Sequence, residues 1–132
     1  MISLRRLLLL SLFGLFAIGA HAAPIDDTAR HFLATYEQIR AALAADDLPA
    51  AREAARPLPE TKAIAAAGDL TSARKAFKEL SVRAVELARG QPGFYIAHCS
   101  MFPGGADWVQ RTEELSNPYW GKAMPHCGEL VK

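Results

Sequence analysis

The chain has 132 residues, a formal net charge of +1 at pH 7 and two cysteines. A chain of this length suits one small domain with a single hydrophobic core. The near-neutral charge, without a basic stripe, gives no support for nucleic-acid binding. The sequence also has no glycine-rich phosphate loop, no Cys-x-x-Cys motif and no nucleophile with an evident base beside it. We therefore predict that the protein is not an enzyme.

The first 22 residues have the pattern of a secretory signal peptide. The Arg5-Arg6 pair gives a positive start, residues 7–18 are apolar, and Ala20-His21-Ala22 matches a signal-peptidase box. The apolar run is too short for a transmembrane helix. We predict cleavage after Ala22, a periplasmic location and no membrane association after cleavage. A single domain, residues 23–132, would remain, with a formal charge of −1 because both arginines are lost.

Residues 28–45 are predicted to form the first helix. Large apolar side chains recur there every three or four positions, which places them on one helix face. These side chains are Phe32, Tyr36, Ile39 and Leu43. Asp26 or Asp27 can cap the N-terminus of this helix.

A second, alanine-rich helix is predicted to begin after Asp47, with Pro49 in its first turn, and to continue to Arg56. The Pro57-Leu58-Pro59 segment interrupts it because proline cannot donate a backbone hydrogen bond. Residues 60–67 are predicted to form a further short helix.

Residues 69–89 are predicted to form the longest helix, which the Gly90–Gly93 segment ends. Its apolar positions form one stripe with helical spacing. They are Leu70, Ala73, Phe77, Leu80, Ala84 and Leu87. Together with the preceding helices, this pattern predicts a mainly α fold built as a small helical bundle.

The motif region, residues 91–132, has a different character. Residues 94–97 are aromatic and β-branched and predict a short strand that leads into Cys99. Pro103-Gly104-Gly105 predicts a turn, and Trp108-Val109 a return strand. We therefore expect an irregular or β-hairpin segment, carrying the sulfur residues, to pack against the bundle.

Sulfur residues are paired in this region. Apart from Met1, the methionines are Met101 and Met124, and each lies within three residues of a cysteine, Cys99 or Cys127. Two thiolates and two thioethers are donors that a soft ion such as Cu(I) or Ag(I) prefers. The sequence therefore predicts a soft-metal site made by Cys99, Met101, Met124 and Cys127.

Two histidines precede the cysteines and are additional candidate ligands: His98 and His126. Side chains of neighbouring residues in a strand point to opposite faces, which works against a histidine and its cysteine sharing one ion.

A Cys99–Cys127 disulfide is the alternative that the residues leave open, because two cysteines in a secreted domain often pair. Closing a loop of this size would stabilise the fold by about 3–4 kcal/mol. Met101 and Met124 would then be core side chains near the tryptophans. The protein would in that case be a disulfide-stapled interaction module of the cell envelope, with no metal.

Three segments carry a resemblance to a known family: residues 95–101, Trp108, and residues 117–128 with their Asn-Pro-Tyr, Met and Cys-Gly elements. They resemble the carboxy-terminal motif of a small periplasmic domain of unknown function. Upstream, residues 73–81 are similar to the same domain. Two positions differ from the family pattern, Ser100 between Cys and Met, where proline is usual, and Pro125 after Met124.

That domain occurs alone or joined to the periplasmic adaptor subunit of copper and silver efflux pumps. The resemblance implies the same four ligands, Cys99, Met101, Met124 and Cys127. It also implies a periplasmic Cu(I)- or Ag(I)-binding protein linked to heavy-metal efflux or copper homeostasis. The expected partner is an efflux adaptor or another copper carrier.

Overall fold

The computed structural model describes Gly19 and residues 22–131, so nearly all of the predicted signal peptide lies outside the described residues. The helices are α1 (Asp27–Ala44), α2 (Leu48–Ala54), α3 (Lys62–Ala65) and α4 (Leu70–Ala88). The strands are β1 (Tyr95–Cys99), β2 (Ala106–Gln110) and β3 (Glu129–Val131). Short 3₁₀ turns occupy Pro59–Thr61 and Gly121–Ala123. Among the described residues, no helix combines the length and the apolar character needed to span a bilayer.

Aspartate caps start the three longer helices. Asp26, Asp47 and Asp69 each accept a hydrogen bond from the backbone N–H three residues on, at 2.7–2.9 Å. Such caps satisfy N–H groups that have no partner inside the helix. The second helix ends at Ala54, earlier than predicted. Pro57 accounts for this difference because the residue before a proline is disfavoured in helical conformation.

The prediction of a mainly α fold, a helical bundle with an irregular or β-hairpin end, is wrong. The predicted hairpin strands are present, but a third strand joins them in an antiparallel sheet of order β2-β1-β3. The register of β1 and β3 places His98 opposite Glu129 and Ile96 opposite Val131. The fold is therefore α+β, with helices on an antiparallel sheet. Strand β3 was missed because it is three residues long, exposed throughout and paired with a distant segment.

The helices and the sheet share one core. A series of aromatic side chains in contact with one another extends through this core. The Tyr36 and Phe77 rings stack with centroids 4.7 Å apart, joining α1 to α4. Phe77 lies 5.8 Å from Tyr119, and the edge of Trp108 in β2 meets Tyr119 at 6.2 Å. Ring pairs at these separations are favourable beyond the area they bury. The Tyr119 segment is thus held between the helices and the sheet.

Two buried tyrosines complete the hydrogen bonds of β2, which is an edge strand. The Val109 N–H donates to the Tyr36 hydroxyl at 3.2 Å, and the Tyr119 hydroxyl donates to the Asp107 carbonyl at 2.6 Å. Ser81 of α4 links the two hydroxyls, at 2.8 and 3.1 Å. Burial raises the pKa of both tyrosines, so both hydroxyls stay protonated at neutral pH. This edge of the sheet is therefore closed by side chains.

Candidate metal centre

Three sulfur atoms meet where β1 ends. The Cys99 and Cys127 sulfurs lie 3.8 Å apart, and the Cys127 sulfur lies 3.6 Å from the Met101 thioether sulfur. Both cysteines are free thiols. Three of the four predicted ligands, Cys99, Met101 and Cys127, are therefore brought together, and we call them the sulfur cluster.

Strand pairing produces this meeting. Cys99 is the last residue of β1, and Cys127 lies just before β3, which pairs with β1. Gly128 allows the close approach because its φ is +128°, a conformation that side chains rarely adopt. A Cβ placed there would lie 2.6 Å from the His98 carbonyl oxygen and 2.9 Å from the Trp108 ring. The packing thus requires glycine at the position after Cys127.

Asn117 holds both cysteines. It is fully buried, and its side-chain N–H donates to the Cys127 carbonyl at 2.7 Å. Its side-chain oxygen accepts from the Tyr119 and Trp120 N–H groups, at 2.8 and 3.2 Å. The same amide also donates to the Cys99 sulfur. The sequence motif included Asn117 only as part of its Asn-Pro-Tyr element, with no role for the side chain. The preference of asparagine for bonding to nearby backbone was the available signal.

Hydrogen bonds set the protonation order of the two thiols. Burial disfavours the Cys99 thiolate, but donors from Asn117, the Phe102 and Met101 backbone and the Cys127 thiol outweigh burial and lower the pKa of Cys99. Burial, together with the hydrogen bond and the negative charge of Cys99, raises the pKa of Cys127. Cys99 is therefore the first of the two thiols to ionise, and hydrogen-bond donors stabilise its thiolate.

Two sulfur–sulfur separations are compatible with shared ligation of one ion. Metal–sulfur bonds of about 2.3 Å separate neighbouring sulfurs by roughly 3.8 Å in tetrahedral and roughly 4.0 Å in trigonal geometry. The observed separations, 3.8 Å for Cys99–Cys127 and 3.6 Å for Cys127–Met101, fall close to these values.

Exposure increases across the cluster in a fixed order. Cys99 is fully buried, Cys127 is half-buried, and Met101 is 59% exposed. Solvent and any partner molecule therefore reach the cluster from the Met101 side.

The other candidate ligands lie apart from the cluster. The His98 ring pairs with Asp107 at 2.6 Å, and strand alternation puts it on the face of β1 opposite Cys99. The His126 ring bonds to the Leu115 carbonyl at 2.7 Å. Within residues 22–131, the Met124 thioether makes no hydrogen-bonding contact with either thiol. The described residues also contain no group of three or more His, Cys, Asp or Glu side chains placed to hold a metal.

Replacing Asn117 with alanine is expected to raise the pKa of Cys99, because a donor to the thiolate is lost while burial remains. In a Cys127→Ser background, iodoacetamide alkylation at pH 7 should slow several-fold, and its pH midpoint should move upward. Ser116→Ala is the neighbouring control and should change neither. A Cys99 whose alkylation profile is the same with and without Asn117 would contradict this role, provided that circular dichroism shows a folded variant.

Comparison of the chain with protein-family models, with curated proteins and with solved structures gives no match. The resemblance to a periplasmic domain therefore stays a prediction.

Proposed function

We propose that this protein binds a soft monovalent cation, Cu(I) or Ag(I), through Cys99, Cys127 and Met101. The observation that carries the proposal is the 3.8 Å and 3.6 Å spacing of three sulfur atoms at the end of β1. Thiolate and thioether sulfur are the donors such ions prefer over oxygen and nitrogen. Met124 is a predicted fourth ligand.

The charge of the site can accommodate a monovalent ion. Two thiolates and one neutral thioether around a +1 ion leave a net charge of about −1, which the N–H donors around Cys99 help to stabilise. The thioether adds affinity without adding charge. The lowered pKa of Cys99 favours loss of its proton, and the bound cation would promote loss of the second proton from Cys127.

We place this activity in the periplasm on the basis of the signal-peptide pattern of residues 1–22. The protein would buffer the ion there, or pass it to an efflux adaptor or another copper carrier. The motif resemblance supports this setting. Exchange would proceed as sulfur ligands are replaced one at a time by those of the partner.

A Cu(I) competition titration of the reduced protein tests the proposal, together with a count of free thiols in the protein as isolated. We expect one-to-one binding that requires both thiols. Absence of Cu(I) uptake by fully reduced protein would overturn the proposal.

The two methionines allow a matched comparison. Met101→Leu is expected to weaken Cu(I) binding about tenfold, because the thioether beside Cys127 is lost while volume is kept. Met124→Leu should weaken it less, because Met124 lies outside the cluster. Affinities come from competition with a chromogenic chelator. Equal losses in both variants would instead show that Met124 joins the site in the bound state.

A disulfide-stapled interaction module is the second candidate function, favoured by the 3.8 Å separation of the two thiol sulfurs. A small movement would bring them to the bonding distance of about 2.05 Å. Zero free thiols in the isolated protein, with no Cu(I) uptake after reduction, is the result that this candidate requires.

A further inference from the structure

A groove of about 510 Å³ lies between α4 and the segment that follows Met101. Its aromatic wall consists of Phe102, Tyr119 and Trp120. Phe102 is the next residue after Met101 and lies 4.7 Å from the Tyr119 ring, centroid to centroid.

The α4 wall of the groove is positively charged. It carries Arg74, Lys75 and Lys78 against a single acid, Glu79. Arg74 is already paired with Asp46 at 2.6 Å. Lys75 is exposed and forms no ion pair with any described residue. The groove therefore offers free positive charge next to apolar surface.

Lys78 ties the two walls together. Its ammonium group donates to the Pro103 carbonyl at 3.0 Å and lies 5.8 Å from the Phe102 ring centroid. An occupant of the groove thus meets a cation and aromatic rings.

We infer that this groove is the docking surface for a partner that exchanges Cu(I) with the cluster, and that the partner presents an acidic segment bearing an apolar or aromatic side chain. The inference rests on the proposed function and adds to it the site and chemistry of the partner. The charge of Lys75 and Lys78 selects the acidic segment, and the aromatic wall receives its apolar side chain. Docking there would bring donor groups to Met101, the most exposed sulfur.

Cu(I) transfer from the loaded protein to two chelators with a common dimethylphenanthroline core tests the inference. Bathocuproine disulfonate is anionic and aromatic, and neocuproine is neutral. In Lys75→Glu we expect transfer to the anionic chelator to slow about fivefold, because attraction at the groove becomes repulsion. Transfer to the neutral chelator should be unchanged. Added salt should slow the anionic reaction in the wild type and not in the variant.

Lys62→Glu is the matched control, because it makes the same change in net charge at an exposed lysine of α3 outside the groove. It should leave both transfer rates unchanged. Equal slowing in Lys62→Glu and Lys75→Glu, or no slowing in either, would contradict the docking role of the groove. The proposal of Cu(I) binding would remain. Absence of Cu(I) uptake by the wild-type protein would contradict both the proposed function and this inference.

Discussion

Replacing Cys99 with serine is expected to abolish tight Cu(I) binding, lowering affinity more than about a thousandfold, equivalent to about 4 kcal/mol. Cys99 is the thiol with the lowered pKa, and it receives hydrogen bonds from Asn117 and two backbone N–H groups. Serine keeps the size and the hydrogen bonds but cannot supply the soft anionic donor that Cu(I) prefers. Competition titration of the reduced variant measures the loss.

A buried position needs a folding control, so thermal melts followed by circular dichroism accompany the titration. Cys127→Ser provides a second variant at a half-buried position, where the substitution disturbs packing less. It should also lose tight binding. Wild-type affinity in a folded Cys99→Ser protein would contradict the assignment of the cluster as the metal centre.

Replacing Gly128 with alanine is expected to destabilise the fold by about 2–4 kcal/mol, through a strained φ and a clash with its neighbours. The new Cβ would lie 2.6 Å from the His98 carbonyl and 2.9 Å from the fully buried Trp108 ring. Relief requires β3 to move away from β1, and Cys127 moves with it. We therefore expect Cu(I) affinity to fall in the same variant. Urea unfolding and competition titration report the two effects.

Gly68 offers a matched control because a Cβ there would meet no atom within 4 Å. Gly68→Ala should be neutral, or stabilising by a few tenths of a kcal/mol through the unfolded chain. A Gly128→Ala protein as stable as Gly68→Ala would show that the β1–β3 junction is looser than the structure indicates. Packing would then not require glycine at position 128.

The architecture explains why a small alanine-rich domain can hold a buried thiol. The aromatic chain through Tyr36, Phe77 and Tyr119 runs from the helices to the sheet beside Cys99. Asn117, two residues before Tyr119, is then fixed against both cysteines. The helices therefore act as a rigid support for the loop that positions the sulfur atoms.

The helices and the first two strands were predictable from local sequence patterns. The spacing of Phe32, Tyr36 and Ile39 marks one helix face, and aspartates mark where α1 and α2 begin. These signals are local, because the periodicity and the cap each depend on residues within one or two turns. The cluster residues were also identified from the sequence, since sulfur donors are chemically distinctive wherever they lie.

The sheet order and the geometry of the cluster depend on contacts between distant parts of the chain. Strand β3 follows Gly128 and pairs with β1 across a long loop, and three exposed residues carry no periodic pattern that predicts this. The same pairing selects Met101 over Met124 as the neighbour of Cys127, and it turns Asn117 from a turn residue into the support of both thiols. Such pairings depend on which distant surfaces fit together, and no local pattern in the chain records that fit.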